Sequence, residues 1–151
     1  MRFVLMALIT LLASPALAQV AMPCDWQARA DAIVEPWEDN SASFANGAVR
    51  VALLDTIEPA AGAAYLLFLH PPMDEVGGRT CTVVGLDESL GYAAIFFEEL
   101  KADYNAATGL TFTVPTIIYL PEQNFQNSAL LSISVNQSSG DVTVNQALGN
   151  E

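Results

Sequence analysis

Ala129-Leu-Leu-Ser-Ile-Ser-Val135 followed by Asn136-Gln-Ser-Ser-Gly-Asp141 and Val142-Thr-Val-Asn-Gln146 is the stretch that decides the fold. Ala129, Leu131, Ile133 and Val135 alternate with Ser132 and Ser134, so one face is apolar and the other carries hydroxyls. Strict period-two alternation describes a half-buried β-strand, and the Asn/Ser/Gly/Asp cluster that follows is a turn. The pair therefore reads as a β-hairpin in which each strand lays one face on a core.

Working upstream, the same pattern recurs. Leu110, Phe112 and Val114 alternate with Thr111 and Thr113, and Thr116 to Leu120 resumes the strand beyond Pro115. A proline removes a ladder donor, so Pro115 predicts an edge or a bulge. Arg79 to Gly85 is a further β-rich run. Tyr65-Leu-Leu-Phe-Leu-His70 is apolar on both faces, as an interior strand should be, and Pro71-Pro72 is expected to end it. Met73 to Gly78 reads as a loop. Asn46-Gly47 ahead of Val49, Val51 and Leu53 is a hairpin signal, because both turn residues tolerate positive φ. Asn40 to Ala45 fits a loop or an edge strand, and Glu58-Pro-Ala-Ala-Gly62 another turn.

Two segments read differently. Asp25 can cap a helix, and Trp26, Ala30, Ile33, Val34 and Trp37 fall at helical spacing, which predicts an N-terminal helix over 25–38, limited by Pro36. Leu90 to Tyr104 fits a helical stripe and a period of two equally, and the β character downstream tips it to strand. The fold class is mainly β: a small antiparallel sandwich or barrel-like meander of about seven strands with an N-terminal helix. A second helix near 90–104 would make it α+β.

Residues 1–18 carry an address. Arg2, an apolar run from Phe3 to Leu12, and Ala16-Leu17-Ala18 form a secretory signal peptide, with cleavage expected between Ala18 and Gln19. The run is too short to span a bilayer, which takes about 20 apolar residues. Pro23 immediately before Cys24 argues against lipidation there. The expectation is one exported globular domain over 19–151, periplasmic or secreted, with no membrane insertion after cleavage.

Export settles how the two cysteines read. Cys24 and Cys81 fit neither a zinc site nor a redox Cys-x-x-Cys motif, and lone thiols in an oxidising compartment pair. The chain carries 5 Lys+Arg against 17 Asp+Glu, a formal net charge of −12. Such a surface repels nucleic acid and mainly keeps an exported domain soluble. Beyond residue 18 the basic side chains are Arg29, Arg50, Arg79 and Lys101.

No motif declares a chemistry. The single histidine, His70, shares a loop with Asp74, Glu75 and Arg79, where a carboxylate could orient the imidazole. These four are the candidate binding residues; no catalytic residue, metal ligand or cofactor is assigned. Neighbouring acids such as Asp74-Glu75 and Glu98-Glu99 could serve a hydrolase only if two faced one another across a cleft. Asp103 to Gly109 lacks the closing acid of a calcium loop. The leading expectation is a non-enzymatic binding or envelope accessory domain for an unidentified protein or small-molecule partner. An envelope hydrolase using carboxylates or the His70 loop is the first alternative, and weak divalent-cation binding the second.

Phe44-Ala-Asn-Gly-Ala-Val-Arg-Val-Ala-Leu-Leu-Asp55, Glu58-Pro-Ala-Ala-Gly62 and Pro71-Pro-Met-Asp-Glu-Val-Gly-Gly-Arg79 resemble small uncharacterised exported proteins of alphaproteobacteria. The resemblance covers most of the chain after residue 18. It implies a bacterial periplasm and brings no activity or site residue with it.

Overall fold

A computed structural model describes residues 19–149. The expected leader, including Ala18 of the cleavage pair, lies outside the described residues.

Two antiparallel sheets pack face to face without closing into a barrel. The first contains β1 (Val20–Pro23), β2 (Ser41–Phe44), β3 (Val49–Asp55), β4 (Ala64–Met73) and β5 (Arg79–Gly85), in the order β1-β5-β4-β3-β2. The second contains β6 (Ala94–Ile95), β7 (Lys101–Asn105), β8 (Gly109–Leu120), β9 (Phe125–Val135) and β10 (Val142–Leu148). Its order is β10-β9-β8, with β6 and β7 sharing the far side of β8. Ten strands among the described residues replace the seven expected, because β1, β2 and β6 are too short to signal themselves by alternation.

The inner faces form the core. Val49, Val51, Leu66, Phe68 and Val84 of the first sheet meet Phe112, Val114, Leu131, Ile133 and Val135 of the second. Phe112 sits at the centre, edge-on to Phe44 and Phe68 with ring centroids 4.9 and 5.3 Å away. The alternation read in β8 and β9 is the physical cause: their apolar residues point in, and Thr111, Thr113, Ser132 and Ser134 point out.

β4 is apolar on both faces because a second layer covers the first sheet from outside. Ala28, Ala32 and Ile33 pack over Leu54, Tyr65 and Val83, and the Cys24–Cys81 disulfide fastens this layer to β5. The expected helix over 25–38 does not form; a single 3-10 turn, Ala30–Ala32, stands there. Trp26 and Trp37, two members of the supposed stripe, are 47% and 52% exposed, whereas Gln27 and Ala32 are buried. The segment is shaped by the sheet it covers. Ile33 bridges Leu54, and the Val34 amide donates to the Leu53 carbonyl, so the chain there continues the edge of β3.

Two other local expectations are corrected, and one open reading is resolved. β4 does not stop at Pro71-Pro72; it runs to Met73 through a register shift between His70 and Met73. Residues 90–104 are two strands separated by a 3-10 turn at Phe97–Glu99, so the lean to strand holds and the second helix does not form. Pro115 lies in an interior strand. Its carbonyl accepts the Phe96 amide, so its missing donor faces the gap where β6 gives way to β7. The neighbouring strand breaks where the proline cannot pair.

Candidate functional site

The residues singled out in the loop after β4 do not converge. His70 is fully buried, with Nδ1 2.6 Å from the Pro71 carbonyl and Nε2 2.9 Å from the Thr82 hydroxyl. A carbonyl can only accept, so Nδ1 carries the proton and, in the neutral ring, the Thr82 hydroxyl donates to Nε2. Asp74 folds back on its own turn, where Oδ1 accepts the amides of Val76 at 3.0 Å and Gly78 at 2.6 Å. Arg79 points elsewhere, its Nη2 donating to the Gly47 carbonyl 2.7 Å away. Glu75 is exposed. The imidazole thus braces the bulge in β4, and the carboxylate of Asp74 shapes a turn. Cys24 and Cys81 are joined, with Cα atoms 5.4 Å apart.

A concavity lies elsewhere, in the seam where the chain passes from one sheet to the other. Gly62 and Ala64, leading into β4, are stitched to Gly91 and Tyr92 by three backbone hydrogen bonds of 2.7 to 3.0 Å. The chain then crosses over, and the Ala93 amide donates to Ile117 of β8 in the second sheet. A side chain at Gly91 would collide with the Ala64 carbonyl, so the crossing requires glycine. Tyr92 anchors it from the core side. Burial raises the Tyr92 and Tyr65 hydroxyls above the ordinary phenol range, so both rings stay neutral well into the alkaline range.

This crossing leaves a cleft of about 470 Å³ between the end of β3, the start of β4 and β6. Leu53, Ala63, Ala94 and Ile95 border it together with the strand at Leu54, whose side chain is itself buried against Ala32, Tyr65 and Val83, and Asp55 is the one charged residue among the described lining residues. Ile57 and Ala60, on the loop that joins β3 to β4, form the outer rim.

The rim loop is tightly wired. The Thr56 amide donates to the Ala63 carbonyl, and the Thr56 hydroxyl lies 3.1 and 3.2 Å from the Glu58 and Ala63 carbonyls. Asp55 Oδ1 accepts the Ile57 amide at 2.7 Å. That bond holds Ile57 at φ 70°, in the left-handed region, with 75% of its surface exposed. A β-branched residue is disfavoured there on steric grounds, and such strain gathers at ligand clamps and switch regions. The Asp55 carboxylate is thus engaged by its own loop, and an apolar lining with few polar groups is the general make-up of a binding site.

Sequence reading missed this cleft. Its walls are ordinary strand residues, and they meet only through the distant pairing of Ala64 with Tyr92. One local clue was legible: an isoleucine inside the polar run Thr56-Ile57-Glu58. Among the described residues no helix is long and apolar enough to cross a membrane, and no three His, Cys, Asp or Glu side chains gather as metal ligands would. The disulfide is consistent with an oxidising, exported compartment. Comparison with protein-family models, curated proteins and solved structures finds no match for this chain.

Proposed function

We propose that this chain is an exported, non-enzymatic binding domain whose cleft receives an aliphatic side chain of a basic protein partner. The observation that carries the reading is Ile57, an exposed β-branched residue held in a strained conformation at the mouth of an aliphatic cleft. An apolar rim residue left in water gains nothing from its exposure, whereas a macromolecular partner would cover it while filling the cleft. Asp55 at the wall, Glu58 beside Ile57 and the net charge of −12 favour a partner with Lys or Arg next to the aliphatic anchor. A buried aliphatic anchor ringed by polar contacts is how interfaces concentrate their affinity.

Ile57→Asn separates this function from stability. Asparagine tolerates the left-handed region, so the variant is expected to be more stable by about 1 kcal/mol. It also removes the apolar rim, so affinity for a lysine–leucine–leucine–lysine peptide should fall roughly tenfold. Thermal unfolding and calorimetric titration read the two effects. A variant that binds the peptide as well as the parent would contradict the reading.

Export by cleavage after Ala18 belongs to the same proposal. Intact-mass measurement of the exported chain should give a product that begins at Gln19 and takes up no alkylating reagent at Cys24 or Cys81 until it is reduced.

A further inference from the structure

We infer that the partner's cation is an arginine, received against the exposed ring of Trp37 between the carboxylates of Glu35 and Glu38. The inference rests on the cleft reading and names the second half of the surface that reads the partner. Residues 35–39 form a loop fastened at its base to a residue of the cleft. The Val34 amide donates to the Leu53 carbonyl at 3.1 Å, and the Leu53 amide donates to the Asn40 carbonyl at 2.9 Å. Val34 and Leu53 both border the cleft, so the loop stands at its edge.

The loop is braced from within. The Pro36 carbonyl accepts the backbone amides of Asp39 and Asn40 and the Asn40 side-chain amide, at 3.1 to 3.2 Å. The Ser41 hydroxyl donates to the Trp37 carbonyl at 2.7 Å. Its side chains nevertheless face water. Glu35, Pro36, Trp37 and Glu38 line a hollow of about 250 Å³, and all four are exposed. A tryptophan presented on a braced loop is the kind of anchor on which interfaces concentrate their affinity.

Charge identifies what meets it. Acids in other loops are taken up locally: Asp55, Asp74 and Asp87 each accept amides of their own turns. Glu35 and Glu38 have no hydrogen bond or ion pair from their side chains within the described residues, where Arg29 with Asp31 is the one ion pair. Two free carboxylates beside an indole face attract a cation. Guanidinium suits them better than ammonium. Its plane stacks on the indole while the N–H groups along its edge reach the carboxylates, and it gives up water more readily.

Peptide binding and the Trp37 indole signal test the inference together. By calorimetry, an arginine–leucine–leucine–arginine peptide should bind roughly fivefold tighter than its lysine counterpart. The citrulline counterpart, flat but uncharged, should bind about tenfold more weakly than the arginine peptide. Trp37→Leu keeps an apolar side chain and should abolish the preference for arginine, while the melting temperature moves by less than about 2 °C. Glu35→Gln with Glu38→Gln should weaken the arginine peptide about fivefold and flatten its salt dependence. Argininamide, which has no aliphatic anchor, should shift the Trp37 indole N–H in NMR spectra and leave the Ile57 amide in place.

Equal binding of the arginine and lysine peptides, a preference that survives Trp37→Leu, or an indole signal that argininamide does not move would each overturn the inference. The cleft reading has a separate marker, since Ile57→Asn weakens both peptides if it holds. Loss of that dependence with the arginine preference intact would sink the cleft and leave the cation site standing.

Discussion

Replacing Cys24 and Cys81 together by serine should lower the free energy of unfolding by about 4 kcal/mol, the loop-entropy value for a closed loop of this length. The bridge spans a sequence separation of 57 residues, so the unfolded chain gains much freedom when it is cut. The folded chain loses its fastening for the outer layer as well. β1 is held to β5 by a four-residue ladder whose last pair, Pro23 with Thr82, adjoins the bridge, and the Cys24 amide donates to the Cys81 carbonyl at 3.1 Å. Without the bridge, Ala28, Ala32 and Ile33 are held over Tyr65 and Val83 by packing and by the short backbone pairing of Ile33 and Val34 with β3. Total stabilities of 5 to 15 kcal/mol are usual for domains, so a loss of about 4 kcal/mol is a large share. Urea unfolding of the parent and the double variant reads it directly. A change below about 1 kcal/mol would mean that the outer layer is held without the bridge.

The second large effect is expected at the centre of the sandwich. Phe112 is wholly inaccessible and lies edge-on to one aromatic ring from each of two strands of the opposite sheet. Phe112→Ala should cost about 4 kcal/mol, through lost transfer energy together with a cavity that the two sheets cannot close. Phe112→Leu keeps most of the volume and should cost roughly 1 to 2 kcal/mol. Tyr104, on β7, is equally aromatic but 65% exposed, so Tyr104→Ala should change stability by less than about 0.5 kcal/mol. The three values together test the inward and outward assignment of β7 and β8, because a one-residue slip in register would reverse their order.

Much of the β architecture was legible in the residues, for reasons that are local. The hairpin of β9 and β10 follows from alternation plus a polar turn. Arg79–Gly85 forms a strand with the expected limits, and Ala45, Asn46 and Gly47 adopt positive φ between β2 and β3. These features depend on side chains a few positions apart. The cysteine pair was legible through chemistry alone.

What failed depended on distant neighbours. The apolar residues of 25–38 repeat at helical spacing, yet the disulfide and the outer face of β3 to β5 draw that segment into turns. Pro115 was read as marking an edge; the structure accommodates it by breaking the strand beside it instead. The His70 loop looked like a site because its polar residues are close in sequence, but backbone groups at Pro71, Gly78 and Gly47 take up the imidazole, the carboxylate and the guanidinium one by one. The cleft escaped notice for the converse reason, since its aliphatic walls come from β3, β4 and β6 and meet only after the chain has crossed between sheets.

The most direct test of the central claim is an amide-resolved NMR titration of the exported chain with the lysine–leucine–leucine–lysine peptide. The account predicts saturable shifts concentrated at Val34, Leu53 to Ile57, Ala60 to Ala64 and Ala93 to Ile95, weakened by Ile57→Asn. A glutamate–leucine–leucine–glutamate peptide should bind much less tightly. Shifts confined to another face, or equal binding of the basic and acidic peptides, would contradict it.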